Sequence, residues 1–373
     1  MVRYISEYKS KYRIFIFSTK EIYTKELLNK QKNVGEFINN KIVFYPDGET
    51  VKLSPKEIKI MDEFCDGDVL EISETGIIYR WYSVIEGDAG IATTPKCNSN
   101  CIMCPASDGE QSHNTGLSLE QLETVIKHMP EDLWYFTITG GEPTLIGEDN
   151  FIEIYRTVKE HLPNTNILLL TNGRTLGNYS FFEKFKKENM KNLRIAIPIH
   201  GSIASKHDYI TQAKGGFEQT IRGLTNIINA NIETEIRIVV SKLNEDDILD
   251  IAKLIVAKFK RVRVVHFVGL EMRGNCAANA DKVVISYEEA FSKSKKAIQL
   301  LMINGIDVAL YNFPYCMIER GYWSLAKKSI SSYKAEYYVE CDKCKMKSMC
   351  CGIFTATRNF YKPRVYPIKG DNE

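Results

Sequence analysis

From residue 89 onward, short runs of β-branched and aromatic residues alternate with helical patterns, and that alternation leaves few architectures open. The runs lie at 90–94, 134–139, 167–170, 193–197, 235–240 and 262–268. They are nearly continuous in apolar character, and helix-length segments such as 216–230 and 245–258 separate them. A capping box at Ser118 and Gln121 opens another helix. Strands of this kind joined by helices predict a parallel sheet buried on both faces. Six strand–helix units fall short of a closed eight-stranded barrel. They suit an α/β fold built as a partial (β/α)6 TIM-like barrel, whose chemistry gathers at the C-terminal strand ends.

Residues 1–88 read differently, as a small β-rich domain with one helix. Strands are expected at 11–17, 41–45 and 50–53, with a hairpin at 69–72 and 77–82, and Ser54-Pro55 opens the helix between them. The barrel then occupies 89–285, and a Cys-rich extension 286–373. The 49 Lys and Arg nearly balance 47 Asp and Glu, and no basic run stands out, so nucleic-acid binding has no support in composition. No window is apolar enough to span a membrane, and the first residues lack a signal-peptide core. The expectation is a cytoplasmic protein with no membrane partner. In that setting ten clustered cysteines point to metal rather than to disulfides.

The cysteines cluster at a strand exit. Cys97, Cys101 and Cys104 follow the first barrel strand with the spacing C-x3-C-x2-C, which holds an iron–sulfur cluster with one iron left open. A zinc knuckle is the alternative on spacing alone, and a zinc-stabilised binding module is the matching non-enzyme reading. The second strand ends in Gly140-Gly141-Glu142-Pro143, a turn that permits close backbone approach and can accept hydrogen bonds from an ammonium group. His200 stands at the fourth strand exit, where it contacts a ligand or serves structure. His207-Asp208 precedes Gly215-Gly216 and orients a ligand or a helix start. Arg237 lies mid-strand among core residues and needs an anion, from a ligand or from a strand neighbour. Gly269 and Leu270 offer backbone and an apolar wall at the sixth exit. Farther on, Cys316, Cys341, Cys344 and one of the adjacent pair Cys350 and Cys351 make a second set of four, with Cys350 the favoured member.

The cysteine loop and the Gly140-Gly141-Glu142-Pro143 turn together resemble the radical S-adenosylmethionine (SAM) superfamily. The resemblance implies a [4Fe–4S] cluster on Cys97, Cys101 and Cys104, with SAM on the open iron and its amino group received by the Gly-Gly turn. Met103 stands where most relatives carry an aromatic residue and belongs to that SAM site. The spacing of Cys341, Cys344 and Cys350 resembles the SPASM/Twitch extension, which implies a second, auxiliary Fe–S cluster. With Thr171-Asn172-Gly173-Arg174 and His207-Asp208-Tyr209, the chain from about residue 69 is similar to HxsC-type maturases of His-Xaa-Ser systems. That likeness implies hydrogen abstraction from a ribosomally made precursor peptide, an external flavodoxin- or ferredoxin-type electron donor and a partner radical SAM enzyme. Action on a small-molecule cofactor precursor is the alternative within the superfamily.

Overall fold

The computed structural model describes residues 2–6, 8–87, 89–107, 109 and 116–369. Residues 1, 88 and 370–373, at the ends of the expected regions, lie outside the described residues. The chain divides into two compact units, one of residues 1–93, 116–139 and 147–168, the other of residues 94–115, 140–146 and 169–373.

The first unit contains a seven-stranded sheet built from β1 (Val2–Tyr4), β2 (Arg13–Ser18), β3 (Val34–Ile38), β4 (Lys41–Tyr45), β5 (Glu49–Lys52), β6 (Val69–Ile72) and β7 (Ile77–Tyr82). Its order is β1-β7-β6-β2-β3-β4-β5, with β2 and β3 parallel and the other pairs antiparallel. Alternate residues such as Phe15, Phe17, Ile42, Phe44 and Leu70 form its core. Helix Pro55–Met61 starts at a complete capping box: the Ser54 hydroxyl accepts from the Glu57 N–H, and the Glu57 carboxylate accepts from the Ser54 N–H at 2.8 Å.

A second helix, Glu21–Asn29, corrects the expectation of one helix in this region. Its N-cap is Lys20, which makes no side-chain cap, and only Thr24 and Leu27 are buried. Neither a cap signal nor an apolar stripe marks it in the sequence. The first unit also holds β8 (Gly90–Ala92) and β9 (Tyr135–Thr139), paired in parallel. Helix Leu119–His128 lies between them in the chain and begins at the expected Ser118–Gln121 capping box.

After β10 (Asn166–Leu170), the second unit sets β11 (Leu193–Pro198), β12 (Glu233–Val239), β13 (Val264–Val268), β14 (Asp307–Tyr311) and β15 (Ala326–Lys327) side by side in chain order and in parallel. Each strand from β8 to β13 is followed by at least one helix, ending with Tyr287–Ile303 after β13. The chain is thus an α/β protein whose parallel-strand sheet is that of a partial (β/α)6 TIM-like barrel, with a β-rich N-terminal region. The sheet continues past the sixth repeat into β14 and β15.

One face of these strands is largely apolar, with Ile195, Ile236, Ile238, Val265, Phe267 and Leu310 excluded from solvent. The other face is not. Glu235 and Arg237 on β12, His266 on β13 and Tyr311 on β14 lie on it, and Glu235 and His266 are buried there, so this face is covered while carrying paired polar side chains. The C-terminal segment adds a short hairpin, β16 (Ala335–Glu336) with β17 (Ile353–Phe354), and a small apolar group of Ile330, Cys351 and Phe354. Among the described residues, no helix is long and apolar enough to cross a membrane.

Candidate iron–sulfur site

Each segment that meets the cysteine loop in the second unit leaves a strand end. The Gly141 N–H donates to the Thr94 carbonyl and the Glu142 N–H to the Lys96 carbonyl, both at 2.8 Å. The two glycines are needed for separate reasons. Gly140 has φ 153°, a conformation L side chains avoid. A Cβ on Gly141 would stand 2.3 Å from the Pro95 carbonyl oxygen and 2.5 Å from that of Lys96. The turn can therefore lie flat on the cysteine loop only as glycine.

Glu142 is wholly buried. Its Oε1 accepts from the hydroxyls of Thr144 and Thr171, each at 2.7 Å, and from the Thr144 N–H at 3.3 Å. Its Oε2 accepts from the Asn172 N–H at 2.7 Å. Burial raises its carboxyl above the usual range, against donors that favour the charged form. This side chain joins the β9 exit to the β10 exit, and both of its oxygens are engaged in doing so. Pro143 is buried and begins a single 3-10 turn, Pro143–Ile146.

The β10 exit supports the cysteine loop directly. The Asn172 amide donates to Asn98 Oδ1 at 2.6 Å and lies 4.0 Å from Cys97 Sγ. Arg174 donates to the Asn98 carbonyl, to Ser99 Oγ at 3.1 Å and to Gln219 Oε1 at 2.6 Å. From the helix Ala204–Thr211, the carbonyls of Ile210 and Thr211 accept from the N–H groups of Ile102 and Asn100. The short helix Gly274–Ala278 completes the frame. The Cys276 N–H donates to the Cys104 carbonyl at 2.9 Å, and the Asn275 amide to Asn100 Oδ1 at 2.5 Å. In the sequence Arg174 is marked only as part of Thr171-Asn172-Gly173-Arg174, and Asn275 has no role there; the structure puts both against the cysteine loop. Replacing Arg174 by Ala is expected to lower the iron retained after gel filtration by about half, with little loss of fold, since it removes hydrogen bonds to a loop carbonyl and hydroxyl; iron content per chain measures this.

The thiols themselves are costly to ionise. Burial raises Cys97, and it pushes Cys101 up to about 12 with the neighbouring thiols Cys104 and Cys97 adding to the rise. Three half-buried thiols close enough to oppose one another's ionisation call for a bound cation to offset their charge. Among the described residues no three His, Cys, Asp or Glu side chains converge on one ion. A four-iron cluster takes one thiolate per iron and so spreads its ligands. Three thiols on one loop fit three of the four irons of such a cluster. Met103 is buried within the loop.

The remaining candidates are placed as follows. His200, at the β11 exit, is buried; its backbone N–H donates to His207 Nδ1 at 3.3 Å, and its own Nδ1 has no hydrogen-bond partner among the described residues. Burial lowers His200 to about 3 and His207 to about 4. Both folded values lie below the ordinary 6.5, so their contribution to stability is complete above about pH 6.5 and is lost as pH falls toward 4 and below. The urea midpoint is expected to drop between pH 7 and pH 4.5, and to drop less in His207→Gln. Asp208 accepts from the Gly215 and Phe217 N–H groups at 2.6 and 2.7 Å, which caps the helix Gly216–Asn229 and gives His207-Asp208 its structural role.

Arg237 finds its anion in the protein. Its Nε lies 2.6 Å from Glu235 Oε1, and His266 Nδ1 approaches the same oxygen at 2.8 Å. Burial works to raise Glu235, but the His266 contact and the Arg237 charge hold it at about 2. Gly269 has its N–H on the Tyr311 carbonyl and its carbonyl on the Asn312 amide, so both backbone groups expected to be open for a ligand are engaged by the β14 exit. Leu270 is buried and supplies an apolar side chain.

Far along the chain, Cys316, Cys341, Cys344 and Cys350 line one cavity, together with Tyr337, Lys347 and Tyr366. Cys351 does not line it; it is 2% exposed and packs with Ile330 and Phe354. The adjacent pair is therefore split, one thiol to the cavity and one to the apolar group.

Comparison with known proteins agrees with this geometry. Residues 91–255 match the Radical SAM superfamily. An AdoMet-dependent heme synthase of Nitratidesulfovibrio vulgaris is 28% identical over 204 residues, 53% of this chain and 53% of that protein. The sporulation killing factor maturation protein SkfB of Bacillus subtilis is 27% identical over 43% of this chain and 37% of its own length. A cysteine-type anaerobic sulfatase-maturating enzyme of Clostridium novyi is 30% identical over 39% and 41%. The chain spans about half or less of the length of these relatives. A radical SAM domain implies a [4Fe–4S] cluster and SAM, and the loop of Cys97, Cys101 and Cys104 is the part of residues 91–255 with the donors for it. It is through those residues, 91–255, that the chain is similar to the radical SAM superfamily of enzymes.

Proposed function

We propose that this protein modifies a ribosomally made precursor peptide by abstracting hydrogen from one of its side chains. Cys97, Cys101 and Cys104 hold the [4Fe–4S] cluster, and the backbone of Gly140, Gly141, Glu142 and Pro143 seats SAM. Met103, Leu270 and Gly269 flank that seat, and the unpaired Nδ1 of His200 is a polar group available to it. Arg237, held by Glu235, is left out of the SAM site. Bound there, cluster and SAM supply reductive cleavage of SAM to methionine and a 5′-deoxyadenosyl radical. The frame around the loop keeps the thiols half-buried and fixed.

The observation that carries the peptide reading is the cavity shared by Cys316, Cys341, Cys344 and Cys350. Four thiols from two distant segments match an auxiliary cluster of the SPASM/Twitch kind, and relatives named as maturation proteins share the barrel segment. The HxsC-type likeness adds a partner radical SAM enzyme and an external electron donor to the proposal. The heme-synthase relative favours the second reading, a small-molecule substrate. Mass spectrometry of a candidate precursor co-expressed with this protein separates them. A loss of two hydrogens that depends on Cys97 supports the peptide reading; an unchanged peptide mass beside active SAM cleavage points to the small molecule.

A further inference from the structure

Charge is unevenly distributed along the chain. Residues 326–373 carry ten Lys and Arg against five Asp and Glu, whereas the whole protein has a net charge of only +2. The excess surrounds the four-cysteine cavity. Lys347 lines it; Lys343 and Lys345 flank Cys344; Arg364 adjoins Val365 and Lys369 adjoins Ile368, both lining residues. Lys343, Lys345, Arg364 and Lys369 are exposed. The segments are tied together at this rim, since the Lys345 N–H donates to the Ile368 carbonyl and the Ile368 N–H lies 3.4 Å from Cys344 Sγ. Asp342 offsets Lys347 at 2.7 Å and the lining residue Glu336 pairs with Arg358 at 3.1 Å, so the collar's remaining charge lies on the exposed Lys343, Lys345, Arg364 and Lys369.

We infer that this basic collar is the docking surface for an acidic one-electron carrier protein, which delivers its electron to the cluster held by Cys316, Cys341, Cys344 and Cys350. The inference rests on the auxiliary-cluster reading above. A field of one sign around a redox centre raises the encounter rate with an oppositely charged protein and orients it toward that centre. An acidic protein gains from this, and a carrier is the acidic partner whose function requires closeness to a cluster. In the step, one electron leaves the reduced carrier, which is oxidised, and reduces the cluster by one; no bond or proton changes hands.

The test follows oxidation of a pre-reduced acidic flavodoxin by the iron-loaded protein in stopped flow, with reduced methyl viologen, a small cation, as the second reductant. The variant carries Lys345→Glu, Arg364→Glu and Lys369→Glu. The flavodoxin rate is expected to fall about tenfold or more in the variant, and to fall several-fold in the unaltered protein as salt rises past the screening range, while the viologen rate holds or increases. A flavodoxin rate indifferent to both changes overturns the inference, and with about eight irons per chain it leaves the two-cluster reading standing. About four irons in the unaltered protein defeats the two-cluster reading and this inference with it. Salt-sensitive binding of an acidic peptide with flavodoxin kinetics unchanged also overturns it. If the variant loads less iron, the salt series on the unaltered protein decides.

Discussion

Replacing Cys97 and Cys101 together by Ala is expected to remove about four irons per chain and leave the protein folded, with the remaining iron still bound. The loop is held by backbone and side-chain contacts that involve no thiol: Gly141 on Thr94, Glu142 on Lys96, Arg174 on Asn98 and Cys276 N–H on the Cys104 carbonyl. The frame therefore survives loss of the ligands. Truncating two half-buried thiols to methyls also costs little transfer energy, about 1 kcal/mol each at most. Iron analysis with circular dichroism measures both halves. Full iron content in the double variant would place the first cluster elsewhere, and collapse of the fold would make these cysteines structural rather than ligating.

Glu142→Ala is expected to be the most damaging single change outside the cysteines. It strands two hydroxyls and two backbone N–H groups in a buried site, and the loss should be about 3–5 kcal/mol. Glu142→Gln discriminates the cause. Its amide oxygen can still accept from Thr144 and Thr171, but its NH2 group then faces the Asn172 N–H, donor against donor, for a cost of about 1–2 kcal/mol. Urea unfolding gives both values. An Ala variant as stable as the parent would refute the view that this carboxylate joins the β9 and β10 exits.

Much of the fold could be read from sequence because it is written in local signals. The Ser54 and Ser118 capping boxes, the apolar strands β10 to β13 and the helix Tyr287–Ile303 all depend on neighbours a few residues away. Helix Glu21–Asn29 was hidden because its stability comes from tertiary contacts and not from a cap or stripe. The polar strand face of Glu235, Arg237, His266 and Tyr311 was hidden for a related reason. Apolar neighbours on the other face dominate the hydropathy of each strand, and only register across β12, β13 and β14 brings the four together. The same holds at the site. Spacing marked the cysteines and the Gly-Gly turn, while the cysteine-loop partners of Asn172, Arg174 and Asn275 lie 70 to 175 residues away in sequence, where no local pattern reveals them.

The Glu142 result also bears on how motifs are read. A carboxylate beside two glycines at a strand end invites a ligand-binding role, yet here every contact made by its oxygens is to the protein. The turn's own shape is set by Gly140 and by the close seat of Gly141 on the cysteine loop.

The most direct measurement is the anaerobic incubation of iron-loaded protein with SAM and a strong reductant, followed by quantification of 5′-deoxyadenosine and methionine. The two are predicted to form in equal amounts and only when reductant is present. Intact SAM after prolonged incubation with protein carrying its full iron would contradict the assignment of Cys97, Cys101, Cys104 and the Gly140-Gly141 turn to radical SAM chemistry.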